Sequence, residues 1–237
     1  MTVRQNALLA LLLFAALRGA AEVPPPVEVE TGWVIPSEGY CDQPYVVRLP
    51  DGTWLCTMTT GKGAEGATGQ HVVSTRSGDR GQTWEPLVDI EPADGPEASW
   101  VMPFLTPGGR VYAFYTYNAA NLREVIADND YARRRVDTLG EYAFKHSDDG
   151  GRTWSAERQF IPVRETALDR ANPYQGRVRF FWGVGKPGLH NGAMYLGFAK
   201  VGRFGEGFIA ESESWFLRSA DLLTESDPSR ITWETLP

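Results

Sequence analysis

The stretch Ser77–Trp84, with the sequence SGDRGQTW, returns as SDDGGRTW at Ser147–Trp154, an offset of 70 residues. A third, degenerate copy begins with Ser219-Ala220-Asp221, 72 residues after the second, and ends with Thr232-Trp233 after seven extra residues. Self-similarity at a nearly fixed spacing is typical of repeat architectures. The chain therefore contains three repeat units.

The repeated octapeptide has the chemistry of a tight, folded turn. Its Ser and Asp side chains can bond nearby backbone N–H groups, and its glycine accepts a positive φ. The closing Trp supplies a large ring that can fill the wedge between neighbouring sheets. We therefore predict that Asp79 and Asp149 are structural, and we exclude them as catalytic residues.

Each unit shows the same succession of apolar, strand-like segments around a Gly or Pro turn. Predicted hairpins cover 44–49 with 53–59, 100–105 with 111–117, and 180–184 with 194–200. A third strand then runs into the octapeptide and a fourth leaves it, at 71–75 and 87–90 in the first unit and at 142–145 and 159–163 in the second. No amphipathic helix is predicted after residue 21. This pattern favours an all-β fold, a β-propeller of four-stranded antiparallel blades, over a sandwich, which does not demand the same turn in consecutive units.

The octapeptide resembles the Asp box of the bacterial neuraminidase repeat, the recurring signature of sialidases and of other propeller families. The resemblance implies about three blades, at approximately 40–92, 97–163 and 177–237, of an expected six. Residues 22–237 would then form the N-terminal half of such a propeller. The resemblance also implies an exo-acting glycoside hydrolase whose partner is a glycan, with sialoside-type substrates.

The N-terminus and the composition indicate where the protein acts and what it binds. Residues 1–21 are typical of an export signal, with Arg4 before an apolar run and small residues before Glu22, so we expect a secreted or periplasmic protein. The apolar run is short for a membrane span and no second one follows, which argues against a membrane partner. A net charge of -7 without a basic cluster argues against nucleic acid. The oligomeric state stays open.

The two cysteines, Cys41 and Cys56, allow two interpretations. An exported protein can bridge them. In a hairpin about Pro50-Asp51-Gly52, however, they do not fall opposite each other, and Cys56 equally fits a small, buried strand residue. The sequence leaves both alternatives open.

The loops opposite the octapeptides form the expected ligand-binding face, because blade connectivity gathers them at one end of the sheets. Carboxylates and an imidazole on this face can transfer protons, and arginine, amide and tryptophan groups can bind a sugar. The predicted catalytic residues are Asp42, Glu65, His71 and Glu97. The predicted substrate-binding residues are Gln43, Trp100, Arg179 and Trp182. The run Arg133–Arg135, in the long loop 118–140, is interpreted as a solvated charge cluster.

Two positions depart from the sialidase pattern. Asp42-Gln43-Pro44 stands where that family has an Arg-Ile-Pro motif, and the loop that supplies the family's acid/base Asp contains Glu65, followed by His71. One alternative is therefore a polysaccharide lyase that abstracts a proton beside a uronate carboxylate. Another is a non-catalytic, glycan-binding propeller. No cluster of His, Cys and Asp has metal-ligand spacing, so we expect neither a metal nor another cofactor.

Overall fold

Three antiparallel β-sheets follow one another along the chain in the computed structural model, which describes residues 32–183, 185–202 and 211–237. They belong to one compact unit, Val34–Pro237. The predicted export signal at residues 1–21 lies outside the described residues. The all-β class is confirmed, since the described helices are two single turns, α1 (Asp130–Arg133) and α2 (Ala167–Ala171), and a 3-10 turn at Pro228–Arg230.

The first sheet has the strand order β1-β2-β3-β4, as predicted for one repeat unit. Its strands are β1 (Tyr40–Arg48), β2 (Trp54–Gly61), β3 (His71–Ser77) and β4 (Val88–Asp89). Strands β2 and β3 are rich in Thr and Val, residues that fit a buried pleated surface, and nearly all of their side chains are buried. The β1-β2 hairpin turns at Asp51-Gly52, where the Asp51 carboxylate accepts the Thr53 N–H at 2.9 Å.

The second sheet repeats this order with β5-β6-β7-β8. Its strands are β5 (Ala98–Leu105), β6 (Val111–Tyr117), β7 (Glu141–Ser147) and β8 (Gln159–Phe160). The connection from β6 to β7 covers residues 118–140 and contains α1. It takes the place that residues 62–70 hold between β2 and β3, so the two loops lie at the same end of their sheets.

The third sheet differs from the prediction at its first strand. The predicted strand 180–184 is replaced by two short strands, β9 (Phe180–Trp182) and β10 (Gly188–His190), which both pair with β11 (Ala193–Val201). Pro187 precedes β10 and has no N–H for a ladder hydrogen bond, which explains why the pairing does not run on continuously. β12 (Ser212–Ser219) and β13 (Glu234–Leu236) complete a five-stranded sheet.

The first strands of the first two sheets share a bulge that the sequence analysis missed. In β1, Gln43 and Pro44 stand between Asp42 and Tyr45, which pair with Thr59 and Thr57. In β5 the register shifts in the same way between Ser99 and Met102. Gln43 and Trp100, the first extra residues of the two bulges, have φ values of 50° and 61°. Such a conformation is rare for a non-glycine residue and re-aims the side chain at a sheet rim.

The octapeptides fold as the predicted turns. In the first, the Asp79 carboxylate accepts from the Ser77 hydroxyl at 2.8 Å and from the Thr83 N–H and hydroxyl at 2.8 and 2.6 Å. Asp149 has the same partners in the second copy. Asp221 has them in the degenerate third copy, where Thr232 closes the turn. The seven extra residues therefore leave the carboxylate's role intact.

The closing tryptophans reach from one sheet to the preceding one, as their size suggested. Trp154 donates its indole N–H to the Ser74 hydroxyl of the first sheet at 2.9 Å. Trp233 packs edge-on against Phe114 of the second sheet, with ring centroids 5.9 Å apart. Buried apolar side chains fill the remaining space between the sheets, including Phe144 and Leu196. The repeated Trp is thus part of the packing between sheets.

The structure also bears on the two cysteines and on the expected lack of a membrane span. Cys41 is exposed, Cys56 is buried, and neither forms a disulfide. Their backbones pair with different partners, Thr60 and Val46, which keeps them apart in the hairpin. In the described ranges no helix has the length and apolar character of a membrane span.

Candidate functional site

The buried guanidinium of Arg135 is the centre of a charged cluster at the end of the sheets opposite the octapeptides. Both oxygens of Asp137 accept from it, at 2.9 and 2.7 Å. It also donates to Glu65 at 2.9 Å and to the Tyr131 hydroxyl at 2.5 Å. Arg135 therefore joins the loop 62–70 of the first sheet to the loop 118–140 of the second.

Gly66 allows these two loops to come so close. Its φ is +75°, a value that favours glycine, and a Cβ at this position would lie 2.2 Å from Arg135 Nε and 2.5 Å from Asp137 Oδ1. Its carbonyl also accepts the Val136 N–H at 3.1 Å. Glycine at this position is therefore a requirement of the Arg135 cluster.

Asp42 and Tyr40, at the start of β1, complete the cluster. Burial raises the pKa of Asp42, and the nearby charge of Asp137 adds to that effect, although a hydrogen bond from Tyr40 and the charge of Arg135 oppose it. Burial also raises the pKa of Tyr40, as do the charges of Asp42 and Glu65. Both groups thus favour their protonated forms more than ordinary Asp and Tyr side chains do.

Hydrogen bonds and ion pairs fix the charge on Arg135. Burial alone lowers the pKa of its guanidinium, but the hydrogen bonds with Asp137 and the charges of Asp137 and Glu65 raise it overall. The carboxylate of Asp137 is buried, whereas the Glu65 side chain is 43% exposed. Of the two carboxylates that pair with Arg135, Glu65 is therefore the one that a ligand can reach.

Three predicted substrate-binding residues lie beside this cluster. The indole N–H of Trp100 donates to the Asp137 carbonyl at 2.8 Å, and its ring meets Trp182 edge-on with centroids 6.2 Å apart. Trp100 is only 3% exposed, so it supports the cluster instead of offering a stacking face. The side-chain carbonyl oxygen of Gln43 is buried and has no hydrogen-bond partner among the described residues.

Glu97 is buried and holds the two loops together. Its carboxylate accepts from the Gly69 N–H at 2.8 Å and from the Asn118 side chain at 3.1 Å, and it pairs with Arg123. Its backbone carbonyl accepts the Asn118 N–H at 2.9 Å. These contacts occupy both carboxylate oxygens and give Glu97 a positioning role between the loops.

His71 and Arg179 are not brought to the Arg135 cluster. The His71 ring is 1% exposed, and its nitrogens contact the Glu91 carbonyl at 2.9 Å and the Glu38 carboxylate at 3.0 Å. Arg179 donates to the Val163 carbonyl at 2.7 Å and pairs with Glu141. Both side chains are thus engaged with neighbouring protein groups.

The sequence analysis missed two residues of this cluster and misread one segment. Tyr40 and Asp137 were not singled out, and the run Arg133–Arg135 was interpreted as solvated, whereas Arg135 is buried. One signal could have identified Asp137: it belongs to the loop 118–140, which the repeat places at the end of the sheets opposite the octapeptides. A run of three arginines cannot reveal which member turns inward, because that depends on carboxylates distant in sequence.

A shallow cavity of about 280 Å³ opens beside Glu65 and Arg135. A larger one, about 420 Å³, lies at the octapeptide end beside Arg110 and Asp148, which form an ion pair with each other. We place the candidate site at the first, because the carboxyl group with a raised pKa lies at that end. Across the described residues, no three His, Cys, Asp or Glu side chains form a group able to hold a metal ion.

The arrangement has the parts needed for acid/base chemistry on a neutral oxygen. Asp42 is a carboxyl group that keeps its proton to a higher pH than usual, and Glu65 is an accessible carboxylate. Arg135 fixes the position of Glu65. Tyr40 adds a protonated hydroxyl, because burial and the charges of Asp42 and Glu65 raise its pKa. A proton donor beside a carboxylate can protonate a leaving oxygen and stabilise or attack the cation that results.

Comparison with known proteins gives a shared fold. No family model and no curated protein matches the sequence. A Hadza microbial sialidase matches with a TM-score of 0.54 at 16% identity, over 81% of this chain and 36% of the sialidase. A protein of unknown function from Dyadobacter fermentans matches with a TM-score of 0.56 at 13% identity, over 86% of this chain and 56% of that protein.

An α-L-arabinofuranosidase of Fusarium graminearum matches with a TM-score of 0.49 at 16% identity, over 86% of this chain and 51% of that enzyme. The chain thus spans between about a third and a little over half of the length of these proteins. Identities this low show the fold alone. That fold is shared with a glycoside hydrolase, the sialidase.

Proposed function

We propose that the chain is part of an exported, sialidase-like glycoside hydrolase in which Asp42 protonates the leaving oxygen of the glycosidic bond. The observation that carries the proposal is the convergence of Asp42 and Glu65 on Arg135 and Tyr40, with the pKa of Asp42 raised. Glycosidases pair a protonated carboxyl group with an ionised one on either side of the scissile bond.

In this proposal Glu65 is the ionised partner, because it is the exposed carboxylate on Arg135. Arg135 and Asp137 position Glu65, and Gly66 permits the approach. The buried carbonyl oxygen of Gln43 is free to accept a hydrogen bond from a sugar hydroxyl. The indole N–H of Trp100 bonds the Asp137 carbonyl and so positions that part of the backbone.

The whole protein, in this view, is a propeller of six four-stranded blades, of which the three sheets are consecutive members. The repeated octapeptide turns, the tryptophans between sheets and the fold shared with a sialidase support this architecture. Further blades would supply the remaining groups of the site. Sialosides are the first substrate class to test, since the octapeptides resemble those of sialidases.

Hydrolysis is favoured over uronate elimination by the state of His71. A lyase needs an accessible base, whereas the His71 ring is buried and bonded to Glu38 and the Glu91 carbonyl. Perturbed pKa values cluster at functional sites, so a carboxyl group with a raised pKa at the same end of the sheets as an accessible carboxylate supports catalysis over glycan binding alone.

The deciding experiment follows the products of the whole protein, with all of its blades, using three substrate sets: a fluorogenic sialoside, neutral aryl glycosides, and uronate polysaccharides. We expect released sugar from one of the glycosides and no unsaturated product from the uronates. An increase in ultraviolet absorbance with uronates, without release of sugar, would establish a lyase instead. Binding of glycans with no turnover of any substrate would make the protein a lectin-like module.

Export is a separate part of the proposal. Expression with the natural N-terminus, followed by mass analysis of the mature protein, should give a chain that begins at Glu22. A protein that keeps residues 1–21 in the cytoplasmic fraction would contradict it.

A further inference from the structure

The cavity beside Glu65 has walls that the proposed catalytic step does not use. Its volume of about 280 Å³ lies just below the roughly 300 Å³ at which pockets for larger ligands begin, and suits a single sugar ring. Methyl groups from the loop 62–70 form one wall and the start of α1 forms the other. The lining residues are Ala64, Glu65, Ala67, Tyr131, Arg134 and Arg135.

Tyr131 is an exposed aromatic ring that is nevertheless held in place. It is 56% exposed, so part of its ring is accessible to a ligand in the cavity. The helix that carries it is capped by Asn129, whose side chain accepts the Ala132 N–H at 2.8 Å. The Tyr131 hydroxyl accepts from Arg135 at 2.5 Å and keeps its own proton for donation. The ring is therefore fixed before any ligand arrives.

The charges around the cavity balance. Among the lining residues Glu65 is negative and Arg134 and Arg135 are positive, and the buried Asp137 carboxylate that pairs with Arg135 brings the sum to zero. The described contacts of Arg134 use only its Nε, which donates to the Asp130 carbonyl at 3.2 Å, so its terminal N–H groups can meet hydroxyl oxygens. A neutral sugar suits this balance better than an acidic one, since it brings no charge to be compensated.

We infer that this cavity is a subsite for a neutral pyranose, with the Tyr131 ring as the stacking platform and Glu65 and Arg134 as hydroxyl ligands. The apolar C–H groups of a sugar pack against an aromatic face, while charged side chains at the edge of the ring form hydrogen bonds with the hydroxyls. The subsite shares Glu65 and Arg135 with the Arg135 cluster, which places it next to the proposed scissile bond, and in a sialoside the neutral sugar next to that bond is the leaving group. This placement rests on the proposed hydrolase function, whereas the binding of the sugar does not.

The test measures binding and turnover separately in the whole protein, with all of its blades. Saturation-transfer NMR with lactose, a neutral disaccharide, reports binding without catalysis. Turnover is compared between sialyllactose, which has the neutral leaving group, and a fluorogenic sialoside, which lacks it. The variants are Tyr131→Ala, Tyr131→Phe, and Phe216→Ala as the matched control, because Phe216 is a similarly exposed aromatic on the third sheet.

We expect lactose signals in the unaltered protein, in Y131F and in F216A, and their loss in Y131A. The ratio of kcat/KM for sialyllactose to that for the fluorogenic sialoside should decrease about five- to tenfold in Y131A, the effect of losing one stacked ring. Lactose signals of full strength in Y131A, or their absence in the unaltered protein, would overturn the subsite. Lactose binding that requires Tyr131, without turnover of any glycoside, would keep the subsite and refute the hydrolase.

Discussion

Arg135 is the residue on which the candidate site depends most, because its guanidinium joins carboxylates from two loops. It bonds Asp137 through both oxygens and Glu65 through one. Planar guanidinium groups suit such multiple contacts, and a lysine would not reproduce them. The position of Glu65 at the Asp42 end of the sheets is thus set by Arg135, which acts as a positioning residue.

The Gly66→Ala substitution tests this dependence. Its Cβ would clash with the buried Arg135 and Asp137, so we expect a loss of activity and a decrease in the free energy of unfolding. Gly69→Ala is the matched control, because Gly69 has a similar φ of +85° and open space around it. G66A should be less stable than G69A by about 1–3 kcal/mol in urea unfolding. Equal stability and equal activity of the two variants would contradict the account.

At this scale the sequence predicted that Asp42 and Glu65 lie at the same end of the sheets, but it did not predict their partners. Loop assignment from the repeat was enough to bring both carboxylates to one end of the sheets. The inward turn of Arg135 and the burial of His71 depend on contacts with Asp137, Glu38 and the Glu91 carbonyl, which no local pattern shows. Their roles therefore required the structure.

The element that recurs most faithfully is the octapeptide turn, in which a single Asp fixes the backbone. Hydrogen bonds from Thr83 lower the pKa of Asp79 to about 2, from an ordinary value of 3.8. In Asp149 burial acts in the opposite direction, yet the bonds from Thr153 lower the pKa to about 2 as well. The ionised form of each carboxylate is thus the one that stabilises the turn.

These shifts predict how stability depends on acid. A carboxylate whose folded-state pKa is depressed contributes stability above its unfolded pKa and loses it as the pH falls through the folded value, here between about 4 and about 2. The double variant Asp79→Asn, Asp149→Asn should be less stable at pH 6 and should show a shallower decline across that window. Thermal unfolding measured from pH 6 to pH 2 checks this. Parallel curves for the two proteins would contradict it.

Regular elements were predicted more accurately than their irregularities. The repeat and the apolar segments gave the strand order of the first two sheets, because alternating turns and β-branched residues act locally. The bulges at Gln43 and Trp100 were missed, since both residues adopt a positive φ that only the surrounding sheet can enforce. The division of the third sheet's first strand into β9 and β10 was missed as well.

Across the whole molecule, a buried charge cluster joins the first sheet to the second. Glu91 is fully buried and accepts from Arg158 at 2.9 and 2.5 Å, while the Tyr115 hydroxyl also bonds to it. Lys145 lies 3.6 Å away. Glu91 follows β4 and Arg158 precedes β8, so the cluster connects the outer parts of neighbouring sheets.

Removing the Glu91 charge should therefore weaken the packing between the sheets. We expect Glu91→Gln to lower the free energy of unfolding by about 3 kcal/mol. This value is at the lower end of the range for breaking a buried ion pair, because Arg158 is partly exposed. Glu157→Gln, an exposed change one residue before Arg158, is the control and should have little effect. Urea unfolding of both variants is the measurement. A stability of E91Q equal to that of E157Q would contradict this role.

The central claim for the whole protein is that Asp42 acts as the proton donor of a glycoside hydrolase. The most direct test is the pH dependence of kcat/KM, with the fluorogenic sialoside or the fastest glycoside of the panel, for the unaltered protein, Asp42→Asn and the exposed control Asp51→Asn. Because burial raises the pKa of Asp42, we expect kcat/KM to decrease as the pH rises through that raised value.

In Asp42→Asn the rate at the optimum should drop about a hundredfold or more and the decline on the alkaline side should disappear, while Asp51→Asn keeps both the rate and the profile. An Asp42→Asn protein with the rate and the pH profile of the unaltered chain would contradict the assignment.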